Sequence, residues 1–143
     1  MFYRYLENDA IADVAFQARG ETPEDLFRAA ADATINVMVE ELDSIRAREK
    51  RTIHIEADGY DMLLVNFLQE LIYYKDARQL ILRPRKVHIV HKNVQFTLDT
   101  ECYGEEIDPK RHKLNADVKA VTLYRFKVFQ TSSGWEAYVI LDI

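Results

Sequence analysis

One cysteine, three prolines and four glycines are all that this 143-residue sequence contains of the residue types that staple, break or loosen a backbone. The lone Cys102 excludes an internal disulfide, in keeping with a reducing compartment. With no matched base nearby in sequence, it is expected to pack as a small hydrophobe on a strand rather than to act as a nucleophile. The four glycines, none spaced to cradle phosphates, exclude a nucleotide-binding loop. There is no Gly-x-Ser-x-Gly elbow and no local signature of a cysteine protease. No apolar run approaches the roughly 20 residues that a membrane helix needs. The opening "MFYRYLENDA" lacks the apolar segment of a signal peptide, so a cytoplasmic protein without membrane contact is expected.

Positive charge is also short. The net charge of −5 opposes nonspecific attraction to nucleic acid, which needs a local surplus of Lys and Arg. Basic clusters do occur, "RAREKR" at 46–51, "RPRK" at 83–86 and "KRHK" at 110–113, but each has acidic neighbours and reads as a solvated turn. What is present is the composition of a soluble globular chain, 48% apolar and 30% charged, long enough to bury a core as one domain over 1–143. The charge balance favours a partner that is a protein.

Periodicity predicts an α+β fold, two helices backed by mostly antiparallel strands with a hairpin at the end. A first strand is expected over 11–19 and ends at Gly20. Thr22 as cap and Pro23 at the first helical position then open a helix through "TPEDLFRAAADATINVMVEEL", with Leu26, Phe27, Ala30, Ala33, Val37, Met38 and Leu42 as its apolar stripe. A strand at 51–57 has Ile53 and Ile55 opposite His54. A second helix starts from Asp58 or Gly59 and turns Leu64, Phe67, Leu68, Leu71 and Ile72 inward, with Tyr73 and Tyr74 at the core edge. Two or three strands follow over 80–104, with Pro84 at an edge or turn and "HKN" as a connection. "NADVKAVTLYRFKVFQ" is predicted to put Val118, Ala120, Thr122, Tyr124, Phe126 and Val128 on one face, and "TSSG" at 131–134 to close a hairpin onto the terminal strand "GWEAYVILDI".

Few residues remain for chemistry. His88 and His91 are three apart on a predicted strand, which sends them to opposite faces and disfavours a shared ion. His54 is expected on a strand surface and His112 in an exposed turn. The carboxylates are left: Asp9 and Asp13 near one end, Asp142 and the main-chain carboxylate of Ile143 at the other. Read alone, they are either solvated acids or, if the ends meet, a repelling cluster that a hard divalent cation would relieve.

The block "DPKRHKLNADVKAVTLYRFKV" followed by "GWEAYVILDI", the Thr-Pro-Glu-Asp-Leu-Phe helix start and "LLVNFLQELIYYKD" resemble the archease family over nearly the whole chain. The resemblance implies an accessory protein of the RtcB-type tRNA-splicing RNA ligase that speeds ligase guanylylation and multiple turnover without catalysing ligation, in indirect contact with tRNA. It also implies metal ligands at Asp13, Asp142 and Ile143, the last through its carboxylate, and a functional lysine at Lys119. The cofactor implied is a divalent cation, Ca2+ in crystals or Mg2+ or Mn2+ in function. Two departures stand out: "DAIAD" puts Ala10 and Ile11 where the family motif has His and Thr, and "VTLY" stands where Thr-Tyr-His is more frequent. Losing the His removes a partner that would orient the aspartate. The competing reading is a binding module or chaperone for RNA-processing proteins that uses a sheet edge or the basic turn of Arg83, Arg85 and Lys86. A stand-alone metal-dependent hydrolase is disfavoured, because no nucleophile or general base accompanies the carboxylates.

Overall fold

The computed structural model describes residues 1–6 and 13–143, so the predicted strand positions Ile11 and Ala12, together with Asp9 and Ala10, lie outside the described residues. Described in chain order are β1 (Phe2–Leu6), β2 (Asp13–Gly20), α1 (Pro23–Met38), a short 3-10 turn (Leu42–Ser44), β3 (Glu49–Ala57), α2 (Tyr60–Arg78), β4 (Leu80–Lys92), β5 (Gln95–Glu106), β6 (Ala120–Thr131) and β7 (Gly134–Asp142). They form two antiparallel sheets, ordered β1-β2-β7-β6 and β3-β5-β4. The α+β expectation holds. The sequence reading missed β1, five residues pairing Phe2 with Arg19 through Leu6 with Ala15.

α1 starts as its sequence dictates: the Thr22 hydroxyl accepts the Asp25 N–H at 3.1 Å, and Pro23 occupies the first turn. Such a cap is worth about 1 kcal/mol. The helix stops at Met38, four residues before the predicted Leu42, because Val39 turns extended and bridges to Leu114. Leu42 instead packs against the core from the 3-10 turn. α1 touches β1, β2 and β7 of one sheet and β4 of the other, and α2 touches β6 as well as β3, β4 and β5. A helix held between two sheets must be apolar on more than one side, hence the fully buried Ala29, Ala30, Ala31 and Ala33. The helices meet through Phe27 and Phe67, stacked with ring centroids 6.4 Å apart. Burying each such ring stabilises the fold by roughly 2–3 kcal/mol.

α2 begins at Gly59, ends on Gln79 in the left-handed conformation, and buries all five predicted inward residues. Tyr73 is a correction. It is 53% exposed and lies on the surface, whereas Tyr74 packs at the core edge. The 80–104 stretch is two long strands: β4 runs through Lys92, and the turn is Asn93–Val94 with Asn93 at φ 57°. Pro84 sits on the edge strand β4, beside a register shift, where a missing N–H is tolerated.

β6 departs from its predicted alternation. Its pairing with β7 passes from Thr122–Ile140 to Lys127–Tyr138, five steps along β6 against two along β7. An odd excess inverts which side chains face inward. Val121 is therefore buried on one parity and Phe126 and Val128 pack inward on the other, while Ala120 and Thr122 share the opposite face, away from the core. Arg125 takes up the irregularity at φ 58°, leaving Leu123 and Tyr124 exposed. The edge of β6 is covered by α2: Val121 N–H donates to Gln69 Oε1 (3.0 Å) and Val128 N–H to Asp61 Oδ1 (2.8 Å). The predicted hairpin at 131–134 forms, with Thr131 opposite Gly134. Gly134 is at φ 150°, and a Cβ there would stand 2.4 Å from the Gly20 carbonyl oxygen.

Candidate functional site

Terminal strand β7 is interior in its sheet, with β2 on one side and β6 on the other. Its apolar alternation is the reason: Ala137, Val139 and Leu141 are fully buried toward the helices, facing Phe16 and Ala18 of β2 on the same side. The β2–β7 register then leaves no freedom to the last pair. Asp13 stands directly opposite Asp142, and Ala120 of β6 flanks Asp142 on the other side. Directly opposed residues project to one face with Cβ atoms roughly 5 Å apart, so both carboxylates lie on the face turned away from the helices. Both are half-buried. Ile143 follows, packed against the core.

The neighbouring chain is fixed as firmly. Lys119 N–H donates to the Asp142 carbonyl at 2.8 Å, while the Lys119 side chain is exposed and makes no ion pair among the described residues. The two residues before it are held by Lys75 of α2, a buried ammonium that donates to Asp117 Oδ1 (2.6 Å), to the Val118 carbonyl (2.9 Å) and to Asp76. Burial pulls the Lys75 pKa down, but hydrogen bonds to Asp117 and Asp76 outweigh it, so the net shift is upward. The α2 lysine therefore tethers the segment that delivers Lys119 to Asp142. Sequence reasoning passed over it, although Lys75 lies four residues after inward Leu71, at an inward helical position.

The model of the Archease protein family (MTH1598/TM1083) matches residues 3–143. The chain belongs to the archease family. Among curated relatives, protein archease of Methanosarcina barkeri is 33% identical over 142 residues, covering 99% of this chain and 95% of that protein. Protein archease of Pyrococcus furiosus is 36% identical over 136 residues, 92% and 93% of the two chains. The solution structure of Methanobacterium thermoautotrophicum protein 1598 superposes with a TM-score of 0.84 at 30% identity, covering 99% and 98%. The Thermotoga maritima crystal structure, described as an archease and possible chaperone, shares the fold at a TM-score of 0.63 and 13% identity, covering 98% and 100%.

In this archease-family chain, the positions that the resemblance assigns to a metal are gathered as neighbours: Asp13 across from Asp142, and Ile143 next along the strand. Their donor chemistry, carboxylate oxygen at half-exposed positions, suits a hard divalent cation. Among the described residues no group of three or more His, Cys, Asp or Glu is assembled to hold a metal; the third donor, the main-chain carboxylate of Ile143, is the one the resemblance implies.

Other sequence candidates are accounted for structurally. His112 is a correction: it is 2% exposed, not solvated. Its Nδ1 accepts the Asp108 N–H at 2.9 Å, which leaves Nε2 to donate to Glu105 Oε2 at 3.0 Å. Glu105 also accepts from the Arg46 N–H (2.7 Å) and from Arg111. Burial raises the Glu105 pKa, yet the Arg46, Arg111 and His112 hydrogen bonds and the Arg111 charge outweigh it and hold the carboxyl at about 2. This network pins the turn between β5 and β6, and nothing in the alternation of β5 announces it. His54 is on the sheet surface as predicted, bonded to Asp99 (2.6 Å) and Glu56 (2.8 Å); the Glu56 and Asp99 hydrogen bonds raise its pKa. His91 stacks on Phe96 with centroids 3.8 Å apart. Cys102 is buried, and burial pushes its thiol up to about 12, so it packs as a hydrophobe. Arg83 is a further correction. It makes a two-pronged pair with the buried Asp32 of α1, at 3.0 and 3.1 Å, and so fastens β4 to α1 rather than standing free for a partner.

Proposed function

We propose that this archease-family protein is an accessory factor of an RtcB-type tRNA-splicing RNA ligase and presents Asp13, Asp142 and Ile143 to the ligase as an anionic tip. The observation that carries the reading is the cross-strand pairing of Asp13 with Asp142 at the end of an interior strand. Opposed like charges are unfavourable, and a fold that enforces such a pair with backbone hydrogen bonds on both sides keeps it ready for a cation. A divalent ion held by these carboxylates would supply positive charge to phosphoryl oxygens during nucleotide activation. The chain's own residues bind and orient: the carboxylates face outward, Lys75 holds the 117–118 segment, and Lys119 stands exposed beside the pair. In this reading the protein acts on the ligase rather than on RNA.

The test is guanylylation of a cognate ligase with Asp13→Ala and Asp142→Ala. Each is expected to lower the stimulated rate at least tenfold while the circular dichroism of the protein stays the same. Unchanged stimulation by both well-folded variants overturns the assignment.

A further inference from the structure

Away from the residues of the acidic pair, α1, β4, β5 and the segment after the 3-10 turn line a half-open cavity of about 210 Å³ whose charged lining is all of one sign: Arg28, Arg83 and Arg85, with Tyr103, Ile45 and Pro84 beside them. Arg83 is committed to Asp32 through Nε and Nη2 and has the fully exposed Asp43 3.9 Å from Nη1. Arg85 makes no ion pair among the described residues; its guanidinium lies over the Tyr103 ring, 4.0 Å from the centroid. Arg28 has one carboxylate at its margin, Asp25 at 4.0 Å, and its Nε is buried without any hydrogen-bond partner.

A buried guanidinium nitrogen with nothing to donate to is costly, because water has been removed and nothing has replaced it. A planar cation stacked on an aromatic ring is held in one orientation and loses little freedom on binding. Guanidinium forks match the oxygens of a tetrahedral anion in pairs. From these observations we infer that the Arg28–Arg85–Tyr103 cavity binds a phosphate group, with the exposed Nη end of Arg28 and the Arg85 fork donating to its oxygens. The phosphate comes either from a small free phosphate or from the 5′ end of an RNA strand. The inference is independent of the ligase reading, since none of these residues belongs to the acidic tip.

Titration of inorganic phosphate into the full-length protein, followed by NMR of the arginine Nε–H resonances at constant ionic strength, tests it. Saturable shifts at Arg28 and Arg85 are expected, weakened about tenfold in Arg28→Gln or Arg85→Gln and abolished in the double variant. Arg85→Lys keeps the charge and the fold but not the fork, and is expected to lose most of the affinity as well. A second arm compares a 5′-phosphorylated six-nucleotide RNA with its 5′-hydroxyl counterpart. Tighter binding of the phosphorylated RNA than of both its 5′-hydroxyl counterpart and inorganic phosphate assigns the RNA end, and binding of the two RNAs that is equal and no tighter than that of inorganic phosphate assigns a free phosphate. Shifts that do not saturate, that persist in the double variant, or that acetate reproduces at equal concentration overturn the site.

Discussion

Neutralising either member of the Asp13–Asp142 pair is expected to stabilise the free protein, against the usual direction for a substitution in a sheet. The two carboxylates project from opposed positions on neighbouring strands, both half-buried. At roughly 5 Å, two like charges repel by about 0.8 kcal/mol in bulk water and about 3 kcal/mol at an effective dielectric near 20. Partial exposure and 0.15 M salt place the pair toward the lower figure, at about 1 kcal/mol. Asp13→Asn and Asp142→Asn, measured by urea unfolding at pH 7 with a chelator present, should therefore each gain about 1 kcal/mol. The double variant should gain about the same rather than twice as much, because one repulsion is removed once. Adding Ca2+ or Mg2+ should then stabilise the native protein, by about 2.7 kcal/mol at a hundred times the dissociation constant, and leave both variants unmoved. Gains that add in the double variant, a loss of stability in both singles, or equal cation stabilisation of all forms would refute the reasoning.

Glu105→Gln leaves Arg111 and His112 facing a neutral group and should cost roughly 3 kcal/mol at pH 7 by thermal or urea unfolding. The pH sign follows from its carboxyl lying at about 2 against an ordinary 4.5. The stabilisation is complete above pH 4.5 and lost as pH falls toward 2, so the variant should show a shallower acid limb than the native protein. Lys75→Met should cost about 2–4 kcal/mol, since it strips the donor from the Val118 carbonyl in a buried site. It should also speed hydrogen exchange of the Lys119 amide, the group bonded to Asp142, more than that of core amides in β5.

How far the fold could be read depended on whether the deciding interactions were local. α1 was readable to its first residue because Thr22, Pro23 and Asp25 state the cap within four positions. Its end, Met38, was not, since what halts α1 is a bridge from Val39 to Leu114, seventy-five residues away. β6 failed for a related reason: alternation predicts facing only while the register holds, and the irregularity at Leu123–Phe126 is set by pairing with β7. His112 and Arg83 look like surface charges in sequence because their partners, Glu105 and Asp32, are reached only through the fold. Of the site, Asp13 and Asp142 were readable through the family resemblance, and the register supplied what the chain could not, that they face each other. Asp9 lies outside the described residues.

The acidic pair is better understood as a stored repulsion than as a finished site. At a frayed strand end, two opposed carboxylates would separate and the repulsion would vanish into disorder. Here β7 has a neighbour on each side, the carbonyl of its last residue, Asp142, is bonded to Lys119 N–H, and Leu141 and Ile143 are packed against the core, so separation would break sheet and core contacts together. The repulsion is the smaller quantity, about 1 kcal/mol, and it is tolerated. Whatever brings positive charge recovers it, whether a divalent ion from solution or a cationic side chain of a bound partner. The two sources part at the chelator: it removes the first and leaves the second. Stimulation of the ligase that survives chelation but not Asp13→Asn would locate the cation on the partner, and stimulation lost to both would locate it on this protein.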